Sequence, residues 1–162
     1  MKNRAIKTAL IIFSVVFALR ILTIFSADRL YSMSLAAETG KITPDRAIGL
    51  LNEAINLDSA NANLYYRKYE LLNLKLKKGQ VKPGEDRKYI FKQELNLLKE
   101  CINLCPSWPA YHLHYALTLK QMSPHPNIMT KARIQSEFQK AAELKPFSDL
   151  YQKFYKENRS EQ

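Results

Sequence analysis

One uninterrupted apolar run sets the terms for everything that follows it. Residues 8–27 read TALIIFSVVFALRILTIFSA; fifteen of the twenty are apolar and Arg20 carries the only charge. Twenty helical residues rise about 30 Å, the thickness of a bilayer's hydrocarbon core. A single segment in that core satisfies its own backbone only as a helix. The sequence therefore predicts a transmembrane helix over 8–27, preceded by a basic N-terminus over 1–7. Lys2, Arg4 and Lys7 have no acidic residue among them. By the positive-inside tendency the N-terminus then stays in the cytoplasm and the rest of the chain lies across the membrane. In a bacterium this describes a single-pass protein of the inner membrane with a periplasmic, extracytoplasmic C-terminal domain. The alternative is a cleaved signal peptide. Such peptides have an apolar core of about 7–15 residues and a small-residue cleavage site. Here the run is longer, and the nearest small-residue pair, Ser34 and Ala36, comes late.

Arg20 sits about 4 Å past the midpoint of the expected span, a costly depth for a charge. Two readings stay open. Arg20 snorkels toward the headgroups, or it contacts a membrane partner by pairing with that protein's carboxylate or carbonyl. Ser14, Thr23 and Ser26 would add hydrogen bonds between helices in the second case.

Beyond residue 27 the pattern changes to short helices separated by breaks. Glycine is scarce, and Leu, Ala, Lys, Glu, Gln and Asn dominate, a composition that favours helix over strand. A helix over about 28–39 is expected to continue from the membrane and stop at Gly40. Thr43-Pro44-Asp45 starts the next, with Thr43 as cap and Pro44 in the first turn. It ends near Leu57. Ala47, Ile48, Leu51, Ala54 and Ile55 form its apolar stripe. Further helices are predicted over 62–78, 86–104, 109–122, 128–144 and 148–158. A Gly/Pro-rich loop at 77–85 and the Pro124–Pro126 break separate them. The folded domain thus spans 28–158, and 159–162 form a frayed tail.

Three helix ends repeat one another: LNEAINLDS at 51–59, LKECINLCP at 98–106 and FQKAAELKP at 138–146. In each, a large apolar residue (Leu51, Leu98, Phe138) is followed by a small one (Ala54, Cys101, Ala141) and then a leucine (Leu57, Leu104, Leu144). Ser59, Pro106 or Pro146 closes the unit, and a tyrosine-bearing helix follows. The small residue lets two helices approach, the large one fills the space between them, and the proline turns the chain. This pattern resembles the tetratricopeptide-repeat (TPR) family, whose second helix carries a small-x3-large-x2-small stripe ending before proline. Ala47, Leu51 and Ala54 match it best. Glu94 and Ile134 stand where alanine is usual. Lys68-Tyr69 replace the Leu-Gly pair of the first helix, and Tyr115-Ala116 come nearer to it. The blocks lie 47 and 40 residues apart instead of about 34. The resemblance covers about 28–158 and implies an all-α architecture: one N-terminal transmembrane helix, then stacked antiparallel helix pairs in a TPR-like α-solenoid.

The sequence offers little chemistry. It contains no phosphate loop, nucleophile elbow or HExxH pattern. His112 and His114 are two apart on a predicted helix, so they point to different faces. Cys101 and Cys105 lack the further ligands of a tetrahedral site. Cys101 fills the small-residue slot and reads as a core thiol, with a Cys101–Cys105 disulfide as the alternative. No catalytic residue, metal or cofactor is expected.

The expected function is binding. The TPR resemblance implies a concave groove lined by Asn63, Tyr66, Arg67, Glu70, Asn73, Leu113, His114 and Lys120, which takes a protein partner. A second surface is basic: Arg67 to Lys92 holds nine basic and three acidic residues, with Tyr65, Tyr66, Tyr69 and Tyr89 interleaved. The whole chain is +10. An anionic lipid or an acidic polymer suits that surface better than nucleic acid does, given the expected compartment. The expected role is thus a membrane-anchored adaptor of a cell-envelope assembly, with surface-polysaccharide export as an analogy. The alternative is an accessory chaperone or receptor for translocated polypeptides.

Overall fold

The computed structural model describes residues 2–80 and 86–159, apart from the side chains of 2–5. Most of the expected 77–85 loop, including Pro83 and Gly84, and the last three residues of the expected tail fall outside the described residues. Every regular element among the described residues is helical. The chain divides into two compact units, Met1–Ala60 and Asn61–Gln162.

The first unit is a helix pair. Helix α1 (Lys2–Ser34) runs unbroken for 33 residues. The helix expected over 28–39 does continue from the apolar run; nothing breaks it there, because no glycine or proline occurs before Gly40. A 3-10 turn, Leu35–Ala37, then ends it earlier than expected. Gly40 adopts φ +72°, the left-handed conformation that glycine reaches without a Cβ penalty. Its N–H donates to the Ala37 carbonyl, and Lys41 donates to that of Ala36. Helix α2 (Pro44–Leu57) returns alongside α1. Thr43 Oγ1 accepts from the Arg46 N–H and Pro44 occupies the first turn, as the sequence predicts. The seam buries Ala27 and Ser34 of α1 against Ala47, Leu51 and Ala54 of α2. By contrast, Ile6 to Leu22 are exposed all round. Ile6–Ala37 is long and apolar enough to cross a membrane, with a mean hydropathy of 2.4 over its most apolar 18 residues.

The second unit holds five antiparallel helices, each packed on the next. They are α3 (Ala62–Lys77), α4 (Arg87–Leu104), α5 (Pro109–Met122), α6 (Ile128–Leu144) and α7 (Asp149–Arg159). Asn61, Asp86 and Asn127 cap α3, α4 and α6 with side-chain oxygens that accept from Asn63, Lys88 and Thr130 N–H groups. Such caps stabilise by about 1 kcal/mol each. Gly79, at φ +64°, closes the end of α3.

The large and small repeated positions do the packing foreseen for them, whereas the closing leucines Leu104 and Leu144 stay exposed. Leu98, Cys101, Phe138 and Ala141 are all buried. Phe138 stacks on Phe154 at 5.9 Å, and Cys101 Sγ contacts the Ala62 carbonyl. Complete burial of a leucine such as Leu98 is worth about 1.5–3 kcal/mol.

Candidate functional site: the groove between α3 and α5

Helices α3 and α5 present side chains at three- and four-residue spacing to a shared groove. Tyr66, Tyr69, Glu70, Asn73, Leu74 and Lys77 come from α3; His114, Leu117, Thr118 and Gln121 come from α5. The groove holds about 300 Å³. One wall is aromatic. The Tyr66 ring lies 5.2 Å from that of Tyr111, 5.7 Å from Tyr69 and 5.7 Å from His114. Tyr69 Oη and His114 Nδ1 are 3.2 Å apart. Burial and the nearby Lys77 lower the His114 pKa, and burial raises that of Tyr69 to about 12. Both groups are therefore neutral near pH 7, and they share one hydrogen bond whose direction is set by the imidazole tautomer. The remaining lining offers amides at Asn73 and Gln121 and opposite charges at Glu70 and Lys77. Such a surface can hold a peptide backbone through its amides and an apolar side chain against its rings.

Four of the eight expected groove residues, Tyr66, Glu70, Asn73 and His114, line this cavity. The others lie elsewhere. Arg67 is buried, with Nη1 donating to Glu70 Oε2 at 3.1 Å, and Leu113 is buried in the core. Asn63 is exposed at the start of α3. Lys120 donates to Asn158 Oδ1 at 2.8 Å and lines a separate cleft with Pro124, Pro126 and Lys131. Tyr69, Lys77, Thr118 and Gln121 are groove residues that the family resemblance alone does not supply. Extending the stripe from Tyr66 and His114 by three and four residues finds them.

Two further ionisable groups are buried in the same unit. Glu94 of α4 occupies the slot where the repeat favours alanine and is fully buried. Neither of its carboxylate oxygens has a hydrogen-bond partner among the described residues. Burial raises its pKa to about 7, only partly offset by Asn73 and Lys77. His112, on the opposite face of α5 from His114, lies between two acceptors. Glu137 Oε2 is 2.7 Å from Nδ1 and the Pro106 carbonyl 2.8 Å from Nε2. Both ring nitrogens must be protonated to donate to both. The Glu137 bond accordingly raises the His112 pKa above its ordinary value, although burial opposes it. Burial pushes Glu137 upward, but its bonds to His112 and Lys140 outweigh that and lower its pKa.

The basic stretch does not form one surface. Arg67, Lys75 and Tyr69 are buried, while Lys77, Lys78, Arg87, Lys88, Tyr89 and Lys92 are exposed. Lys82 and Glu85 fall outside the described residues. Arg20, the expected contact for a membrane partner, donates from Nη2 to Asp58 Oδ1 of its own chain at 3.0 Å. Cys101 is buried and Cys105 half-buried, and no disulfide joins them. Among the described residues, no cluster of three or more His, Cys, Asp or Glu side chains could hold a metal ion.

The helix-pair geometry superposes on solved structures. The TPR domain of Arabidopsis OM64 matches with a TM-score of 0.63 at 17% identity, over 85% of this chain and 98% of that one. The fold is that of a tetratricopeptide-repeat domain. The first TPR of Spaghetti (RPAP3), solved bound to the HSP90 peptide SRMEEVD, matches this TPR fold at 0.62 and 13% identity, over 85% and 93% of the two chains. The Yersinia enterocolitica type III secretion chaperone SycD, in complex with a peptide of the translocator YopD, matches at 0.56 and 16% identity, over 82% and 86%. No family model and no curated protein matches the sequence. In this TPR fold, α3 and α5 are the first helices of successive pairs.

Proposed function

We propose that the chain is a membrane-anchored adaptor that holds an extended peptide segment of a protein partner in the α3–α5 groove. The groove itself carries this reading: an aromatic wall beside paired amides, in a fold that holds peptides in RPAP3 and SycD. The anchor is the exposed apolar part of α1. Arg20 does not enter it unpaired, because the Asp58 bond holds it beside the C-terminal end of α2. The basic N-terminus orients the domains to the extracytoplasmic side. On this reading the chain scaffolds an envelope assembly, with surface-polysaccharide export as one such setting. Exposed Lys77, Lys78, Arg87, Lys88 and Lys92 suit an acidic partner or polymer.

The test uses the full chain in lipid nanodiscs and the partner recovered by cross-linking from a photoreactive residue at Gln121. The double substitution Tyr66→Ala/Asn73→Ala should weaken partner binding at least about tenfold, and Asn63→Ala should leave it unchanged. Equal affinity for all three proteins would reject the groove. SycD, itself a secretion chaperone, favours a second reading, an accessory chaperone or receptor for translocated polypeptides. One stoichiometric cross-linked partner supports the adaptor, and many nascent clients support the chaperone.

A further inference from the structure

The second unit has two unlike ends. Because its helices alternate in direction, the α4–α5 and α6–α7 turns share one end with the start of α3. Two contacts fix that register: Cys101 meets Ala62, and His112 near the start of α5 meets Glu137 toward the end of α6. That end displays apolar side chains to solvent. Phe147 is 100% exposed, Trp108 55%, Leu150 54%, Leu144 41% and Leu104 40%. Lys145 lies among them, its ammonium 5.8 Å from the Tyr151 ring centroid. Scattered single apolar residues need no explanation, but five gathered at one end of a five-helix unit do. The turns that carry them are held in place. His112 binds the Pro106 carbonyl, and the Trp108 ring lies 6.3 Å from that of Tyr111. The chain also enters the second unit at this end, since Ala62 opens α3 only a short turn after Leu57.

We infer that this end of the repeat domain lies on the lipid surface, with Trp108, Phe147 and Leu150 inserted at the headgroup level. The inference rests on the anchor reading above. The chemistry suits lipid. Tryptophan and lysine are interfacial residues, and aromatic and leucine side chains favour the headgroup–acyl boundary. Glu143 and Asp149 offset Lys145 locally, so apolar burial drives the contact and neutral lipid suffices. The opposite end, with Lys77, Lys78, Arg87 and Lys88, faces away from the bilayer and stays open to acidic partners.

Trp108 is the only tryptophan, so its fluorescence reports on this surface directly. The full chain is reconstituted into phosphatidylcholine vesicles, with or without bromine on the upper acyl chain. Flotation of the vesicles reports on the anchor. The inference expects roughly twofold loss of Trp108 emission in brominated vesicles, as for a side chain 5–10 Å below the headgroups. The double variant Trp108→Phe/Phe147→Trp should be quenched similarly, and Trp108→Phe/Ile128→Trp, at the opposite end, should not. Co-flotation without quenching, in the wild type and in the Phe147→Trp variant alike, overturns the lipid contact and leaves the anchor standing. A blue-shifted but unquenched Trp108 overturns it in favour of a protein occupant. Failure to float overturns the anchor and the inference together.

Discussion

Replacing Glu94 with glutamine should stabilise the repeat domain at alkaline pH and leave it nearly unchanged at acidic pH. The carboxyl is fully buried, and burial raises its pKa from 4.5 to about 7. The folded state therefore holds the proton more tightly than the unfolded chain does. Below pH 4.5 both states are protonated and the site costs nothing in charge. Between 4.5 and 7 the unfolded state ionises first, and stability falls as pH rises. Above 7 the full difference applies, about 3 kcal/mol at 1.36 kcal/mol per unit. Glutamine keeps the shape of the protonated acid and cannot ionise. Wild type and Glu94→Gln should therefore differ by at most about 1 kcal/mol at pH 5, with the variant more stable by about 2–3 kcal/mol at pH 8.5. Urea unfolding of the full chain in detergent micelles at the two pH values measures this. Taking the difference between proteins cancels His112 and every other shared titration. Equal pH dependence in the two proteins would refute the reasoning, because Glu94 would then be solvated or paired in the fold.

Three further expectations come from the same packing. His112→Ala should destabilise the domain by about 2–3 kcal/mol at pH 6, since it takes the donors from Glu137 Oε2 and the Pro106 carbonyl and leaves Glu137 only its Lys140 bond. With the folded His112 pKa raised, its contribution is complete below about pH 6.5 and is lost as pH climbs through the folded value; a flat urea midpoint from pH 6 to 9 would contradict this. Asp58→Asn should loosen the α1–α2 pair by about 1 kcal/mol, visible as faster hydrogen exchange in α2, and unchanged exchange would remove Arg20–Asp58 as its clasp. Thiol labelling in the native protein should modify Cys105 rapidly and Cys101 only on unfolding, since Cys101 is buried with its pKa raised to about 12.

Helix limits are legible because local chemistry sets them. Pro44 and Pro109 can stand only in a first turn, and the capping side chains of Thr43, Asn61, Asp86 and Asn127 occupy the ends they announce. The dual nature of α1 is not legible. Its seam of Thr23, Ala27, Leu30, Tyr31 and Ser34 has helical spacing, but the apolar run around Thr23 and Ala27 hides one face among others. The groove is half legible for a related reason. Tyr66, Asn73 and His114 follow from the TPR resemblance, but Arg67 is adjacent to Tyr66 and turns about 100° away into the core. Charge suggests exposure there, and the helical angle decides against it. Glu94 stands out as a departure from the repeat, yet only tertiary packing shows that it is sealed from water.

Helix α1 also has a mechanical consequence. Its 33 residues make a rod of about 50 Å with no glycine or proline joint. A tilt of about 10° around one tip displaces the other by roughly 9 Å over that length. Because α2 is clamped along the upper half by the Ala27–Ser34 seam and by Arg20–Asp58, it must swing with the rod. The first helix pair therefore behaves as a lever arm, and changes in the inclination of its apolar shaft are transmitted as motion instead of being absorbed by a hinge.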